Sequence, residues 1–199
     1  VFNTPGANAN AVKELIIACL FLASRNLCQA WQETKHLQGQ DISEQVENLK
    51  KQYSGNELPG KTLGIIGLGA IGVLVANAAK ALGMSVIAYD PHITIENAWQ
   101  LSADVKQSHT LDEMLPQLDF LTLHVPFNDQ TKNLLDKQRI MKLPNNCSVL
   151  NFSRGEIVNS NDLLNSLENN QIKSYITDLP EAQLLKSSNV IALPHLGTS

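Results

Sequence analysis

Residues 63–72, LGIIGLGAIG, constrain the fold more than any other part of the 199-residue chain. An uncharged run (TLGII) enters glycines at 67, 69 and 72, spaced G-x-G-x-x-G. A helical stretch (AIGVLVANAAKALG) leaves them, with Gly83 as its C-terminal stop. A second run, SVIAY, then ends on Asp90, 18 residues after Gly72. Strand, glycine turn, helix, strand and acid in that order form the arrangement that binds a dinucleotide. Gly67 permits the tight turn, Gly69 lets backbone approach the pyrophosphate, and Gly72 lets the helix lie close to the sheet. Main-chain N–H groups around Ala70 and Ile71, at a helix N-terminus, then face the phosphates. Asp90 would accept hydrogen bonds from an adenosine ribose and repel the extra phosphate of NADP, which favours NAD. FAD-binding proteins share the fingerprint, and other α/β folds also contain glycine turns.

The rest of the chain continues the alternation. Short β-branched runs at 62–66, 85–89, 119–125, 147–152, 172–177 and 189–193 are separated by helical stretches near 70–82, 111–118, 136–142 and 160–169. Asp136 and Ser160 or Asn161 stand where N-caps belong. Strands alternating with helices predict a parallel sheet covered on both faces, here a Rossmann-type doubly wound α/β fold in a single nucleotide-binding domain over 1–199.

Ahead of this core, Val12, Leu15, Ile16, Cys19, Leu20 and Ala23 follow helical spacing, with Asn8 or Asn10 as the cap. Ile17, Phe21 and Leu22 fall on the other side. A helix at 8–26 that is apolar all round is either fully internal or packs on a second subunit as well as its own core, which predicts a homodimer. Residues 32–60 are polar and end in ELPG, which predicts a helical or looped excursion.

Composition narrows the function. Fifteen basic and 19 acidic residues give a net charge of −4, with no basic stripe for nucleic acid. The longest charge-free apolar run, LIIACLFLA, has nine residues and cannot span a bilayer as a helix. Cys19, Cys28 and Cys147 lack disulfide or zinc spacing, so reduced thiols and a cytoplasmic location are expected, with no metal. The chain opens on VFNTPG without an initiator methionine, as a piece of a longer protein would.

Together GKTLGIIGLGAIG, YDP at 89–91, LHVP at 123–126, MK at 141–142, NFSRG at 151–155 and PHLG at 194–197 resemble the D-isomer-specific 2-hydroxyacid dehydrogenases. The opening VFNTPGANANAVKE and KKQYSGNELPGKTLG at 50–64 are most similar to the branch that acts on 3-phospho-D-glycerate. The resemblance covers essentially the whole chain. It implies a nucleotide domain inserted into a substrate domain, most of which lies outside these residues. It also implies an NAD-dependent enzyme for a small 2-hydroxy acid, namely oxidation of 3-phospho-D-glycerate to 3-phosphohydroxypyruvate in serine biosynthesis. Another D-2-hydroxy acid, or an NAD-sensing role like that of related corepressors, is the alternative.

Three chemical groups carry over by position. Arg154, at the C-terminal end of an expected strand, can grip a 2-hydroxy or 2-keto carboxylate through forked hydrogen bonds and polarise the carbonyl. His195 can trade a proton with the substrate hydroxyl. The family places a glutamate beside this histidine, and Glu181 is the candidate, although TDLPEAQLL is shorter than the usual segment and lacks its proline. By the same match Asp178 holds the nicotinamide amide, Phe152 and Ser153 offer backbone near the nicotinamide ribose, and Val125 and Pro126 shape the adenosine groove. Gly197 completes the cofactor-binding set with Arg154 and His195. His124 is expected to line the adenine side, and His36, His92 and His109 to be solvated.

Overall fold

The computed structural model describes residues 8–198. Residues 1–7, the start of the VFNTPGANANAVKE motif, and Ser199 lie outside that range. Three helices come first: α1 (Ala9–Arg25), α2 (Leu27–Lys35) and α3 (Ile42–Gln52). The core then runs β1 (Thr62–Ile66), α4 (Ala70–Ala81), β2 (Ser85–Tyr89), α5 (Ile95–Gln100), β3 (Lys106–Gln107), α6 (Leu111–Met114) and β4 (Phe120–Leu123). It closes with α7 (Lys137–Ile140), β5 (Ser148–Asn151), α8 (Ser160–Glu168), β6 (Ser174–Thr177) and β7 (Val190–Ala192).

Among the described residues seven strands form one sheet in the order β3-β2-β1-β4-β5-β6-β7, every pairing parallel. Successive residues of a strand point to opposite faces, and two cores result. Leu63, Ile65, Leu150 and Ile176 join one core with α1 and α4. Ile66, Leu121, Val149 and Tyr175 join the other with α6, α7 and α8. Full burial of a residue such as Ile16 or Leu20 of α1 stabilises the fold by about 1.5–3 kcal/mol each. The chain winds outward from β1 in one direction and from β4 in the other, so the C-terminal ends of these two neighbours form the crevice where ligands of open α/β sheets bind.

The six expected strands and the doubly wound fold are present. The seventh, β3, has two residues at the sheet edge and carries no apolar run that periodicity could register. The excursion at 32–60 contains parts of α2 and all of α3, neither with a buried residue. The cap of α8 is Asn159, whose side chain accepts from the N–H of Asp162, in place of Ser160 or Asn161. Asp136 does cap α7, accepting from the N–H of Arg139. Asn8 occupies the N-cap position of α1 without a side-chain hydrogen bond, and the Asn10 amide donates to Glu14 instead. Nor is α1 enclosed on all sides within this chain. It buries Val12, Ile16, Cys19, Leu20 and Ala23, leaves Leu15, Ile17 and Leu22 partly covered, and leaves Phe21 exposed. No described helix is long and apolar enough to cross a membrane.

Candidate active site

The glycine turn is built as its spacing requires. Gly67 has φ +95°, and a Cβ there would stand 2.6 Å from the carbonyl oxygen of His124, so both conformation and space exclude a side chain. A Cβ on Gly72 would run into the carbonyl of Gly67, which brings the first turn of α4 against the loop itself. Gly69 differs: a Cβ added there would meet no protein atom within 4 Å. Its emptiness is toward the crevice, where backbone is left open to a phosphate. As N-cap of α4, Gly69 has no side chain to satisfy the N–H groups of Ala70 and Ile71, and a helix N-terminus in that condition attracts anions.

Asp90, at the end of β2, holds this turn in place. Its Oδ2 accepts from the N–H of Leu68 at 2.7 Å and its Oδ1 from that of His92 at 2.8 Å. Each oxygen retains a second lone pair for a ribose hydroxyl. The carbonyl of Leu68 accepts from Asn97 of α5 at 2.9 Å, so the main chain of the turn is gripped from both sides. Asn97 escaped the sequence reading because α5 is short and its apolar residues, Ile95 and Trp99, face solvent.

Two cavities meet along the crevice. One, of about 330 Å³, runs from Gly67, Gly69 and Asp90 to Val125, Pro126 and Thr131. The other, of about 400 Å³, runs from Ile71 past Phe152 and Ser153 to Arg154. His124, Val125 and Pro126 border both. His124 therefore stands between the two halves rather than on the adenine side alone. Burial lowers its pKa to about 4, leaving a neutral ring whose Nε2 is 3.0 Å from Oγ1 of Thr122. His36, His92 and His109 are exposed, and His92 also lines the first cavity.

The arginine loop after β5 depends on Asn151, a fully buried residue that the sequence reading passed over. Its amide donates to the carbonyl of Arg154 at 2.9 Å and to the hydroxyl of Tyr175 at 3.1 Å, while its Oδ1 accepts from the N–H of Ser153. Ser153 Oγ donates to the carbonyl of Val125, joining the β5 loop to the β4 loop. The Arg154 guanidinium is exposed and donates to the carbonyl of Ser153 at 2.7 Å. A buried asparagine beginning an N-x-S-R turn was the available signal, since a polar side chain at that depth has to be satisfied internally.

Next to this loop, Oδ2 of Asp178 lies 2.8 Å from Nδ1 of His195; the aspartate is buried and the histidine partly exposed. Burial raises the carboxyl pKa, and the charge of His195 opposes that shift. Glu181, the partner expected from the resemblance, makes other contacts in this chain. Glu181 Oε1 accepts from Ser160 Oγ at 2.7 Å and its Oε2 from Gln183 at 3.0 Å. Among the described residues the carboxylate within ion-pair reach of His195 belongs to Asp178. Glu181 thus lies over the N-terminal end of α8. Gly197 is buried against α1, where a Cβ would meet Val12 at 2.8 Å.

The arrangement suits a nicotinamide dinucleotide. Phosphates fit at Gly69 and the N-terminus of α4. At the far end, Oδ1 of Asp178 is buried without a hydrogen-bond partner among the described residues, as an acceptor awaiting an amide N–H would be. The NAD-binding-domain model of the D-isomer specific 2-hydroxyacid dehydrogenases matches residues 17–197. The chain belongs to that family.

Within the family, the D-3-phosphoglycerate dehydrogenase of Methanocaldococcus jannaschii is 34% identical over 205 residues, 100% of this chain and 37% of that protein. The enzyme of the same name from Synechocystis is 35% identical, again over 100% of this chain and 35% of its own length. The chain thus spans little more than a third of these relatives. Apo D-lactate dehydrogenase from Escherichia coli superposes with a TM-score of 0.80 at 26% identity, covering 95% of this chain and 58% of that one. The dinucleotide of this family domain is NAD, as Asp90 led us to expect.

Proposed function

We propose that the complete protein oxidises 3-phospho-D-glycerate to 3-phosphohydroxypyruvate with NAD, and that this chain is its nucleotide-binding part, most of the substrate domain lying outside it. The observation that carries the reaction class is the Asp178–His195 contact, 2.8 Å long, beside Arg154 at the C-terminal edge of the sheet. Arg154 takes the substrate carboxylate through two parallel N–H groups, which fixes the 2-hydroxyl carbon over the nicotinamide end of the crevice. Asp178 accepts from Nδ1–H and so fixes the ring tautomer, making Nε2 the nitrogen that takes the hydroxyl proton. Bound NAD supplies the hydride acceptor. The 3-phosphate of the substrate is supported by the names and whole-chain similarity of the two relatives.

The test is NADH formation by the complete protein with 3-phospho-D-glycerate, D-lactate and D-glycerate side by side. A preference for the phosphorylated acid of about tenfold or more in kcat/KM is expected, equivalent to roughly 1.4 kcal/mol in the transition state. Preference for an unphosphorylated acid overturns the substrate assignment. NAD binding without oxidation of any of them points to an NAD-sensing protein.

We further infer a homodimer formed through α1, α2 and α3. Phe21, Leu27, Trp31, Ile42 and Val46 are exposed on these helices, and no residue of α2 or α3 is fully buried within the chain. An apolar surface of this kind is what a two-fold interface covers.

A further inference from the structure

The opposite edge of the sheet holds a polar cavity of about 300 Å³ that shares no lining residue with the NAD crevice. It lies beneath the N-terminal ends of β1, β4, β5 and β6, against the junction of α1 with α2 and the loop from α3 into β1. Phe120 is the one apolar residue in its lining; lysine, serine and asparagine side chains dominate the remainder.

Its charges are unevenly matched. Asp119 is fully engaged, Oδ1 accepting from Lys61 Nζ at 3.0 Å and Oδ2 from the N–H of Thr62 at 2.9 Å. Lys173 is half-buried, and its Nζ donates to a neutral acceptor, the carbonyl of Ala23, at 2.8 Å. Among the described residues Lys173 forms no ion pair. Burial first, and the nearby charge of Lys61 second, lower its pKa. The remaining carboxylate of the lining, Glu57, stands on the exposed rim, where water screens it. A half-buried ammonium with a neutral partner and a like charge nearby is stabilised by an anion.

We propose that this cavity binds the phosphate group of a small molecule, or free phosphate, with Lys173 as its principal contact. The ammonium keeps two further N–H donors beyond the one given to Ala23. Lys61, Asn146 and Ser148 add donors in the same cavity, a set suited to an anion with several acceptor oxygens and up to two charges. The volume equals about ten waters at roughly 30 Å³ each, room for a phosphate and a short carbon body. Because Lys173 also holds the carbonyl of Ala23, occupancy reaches the C-terminal turn of α1, far from the NAD crevice.

Inorganic phosphate titrated calorimetrically into the complete protein, with NAD saturating to fill the glycine turn and chloride matching the ionic strength, tests the site. Saturable binding is expected. Lys173→Met should weaken it about tenfold or more, and Lys173→Arg should retain it. Asn146→Asp places a negative charge at an exposed lining position without touching the core, and it should also weaken binding, which covers the case that Lys173→Met does not fold. Phosphate binding no stronger than chloride, or equal binding by the wild type, Lys173→Met and Asn146→Asp, overturns the proposal. The readout is binding and stands whether or not 3-phospho-D-glycerate is the substrate.

Discussion

Nδ1 of His195 and Oδ2 of Asp178 are 2.8 Å apart, which joins a partly exposed imidazole to a carboxylate shut away from water. Burial raises the Asp178 pKa despite the opposing charges of His195 and Arg154. A fold that raises the pKa of an acid favours its protonated form. The stability associated with Asp178 is therefore greatest in acid and is lost as pH rises through the folded value. Asp178→Asn removes that titration, so its melting temperature at neutral pH should equal or exceed that of the wild type, with a flatter dependence above about pH 4. Calorimetric melts across that range provide the check. A fall of several degrees at neutral pH would show that the carboxylate is structural.

The glycine turn separates folding from binding at neighbouring positions. Gly69→Ala adds a methyl that meets no protein atom within 4 Å, so stability should hold while NAD affinity falls. Gly67→Ala places a side chain at φ +95° and against the carbonyl of His124, costing about 1–3 kcal/mol of stability. Denaturant titrations and NAD binding on both variants separate the two effects. Equal destabilisation by both would contradict the open space assigned to Gly69.

Asp90 serves the loop and the cofactor together. Asp90→Asn keeps a side-chain oxygen for the N–H of Leu68 and loses the charge, so it should narrow the preference for NAD over NADP. Asp90→Ala removes the acceptor as well and should in addition cost about 1 kcal/mol. Competition binding of the two cofactors measures the first effect, and an unchanged ratio in both variants would mean that the charge does not discriminate.

Trp31 projects 64% of its surface from α2. If α1, α2 and α3 pair two copies, Trp31→Glu should shift the complete protein toward monomer in sedimentation velocity at micromolar concentration. A wild type that sediments as a monomer, or a variant that still dimerises, removes this interface.

The sheet and the NAD turn were legible in the sequence because each rests on local chemistry. Short apolar, β-branched runs mark β1, β4, β5 and β6, and a glycine is required where a positive φ coincides with close neighbouring backbone, as at Gly67. Features set by long-range contact were not. The grip on Leu68 joins Asp90 and Asn97 from different elements, and Asn151 earns its place through Tyr175 on a neighbouring strand. The contact of His195 with Asp178 likewise joins separate elements. The resemblance puts Glu181 beside His195, and its bond to Ser160 at the start of α8 shows only once the chain is folded.

The most direct measurement is kcat/KM of the complete protein with NAD and 3-phospho-D-glycerate for the wild type, Asp178→Asn and Glu181→Gln at neutral pH. With Asp178 holding the imidazole tautomer, Asp178→Asn should lose about a thousandfold or more, as expected when the orienting carboxylate of a catalytic histidine is replaced. Glu181→Gln should stay within about threefold of the wild type, since an amide still accepts from Ser160. A large loss in Glu181→Gln together with near-normal turnover in Asp178→Asn would contradict the account.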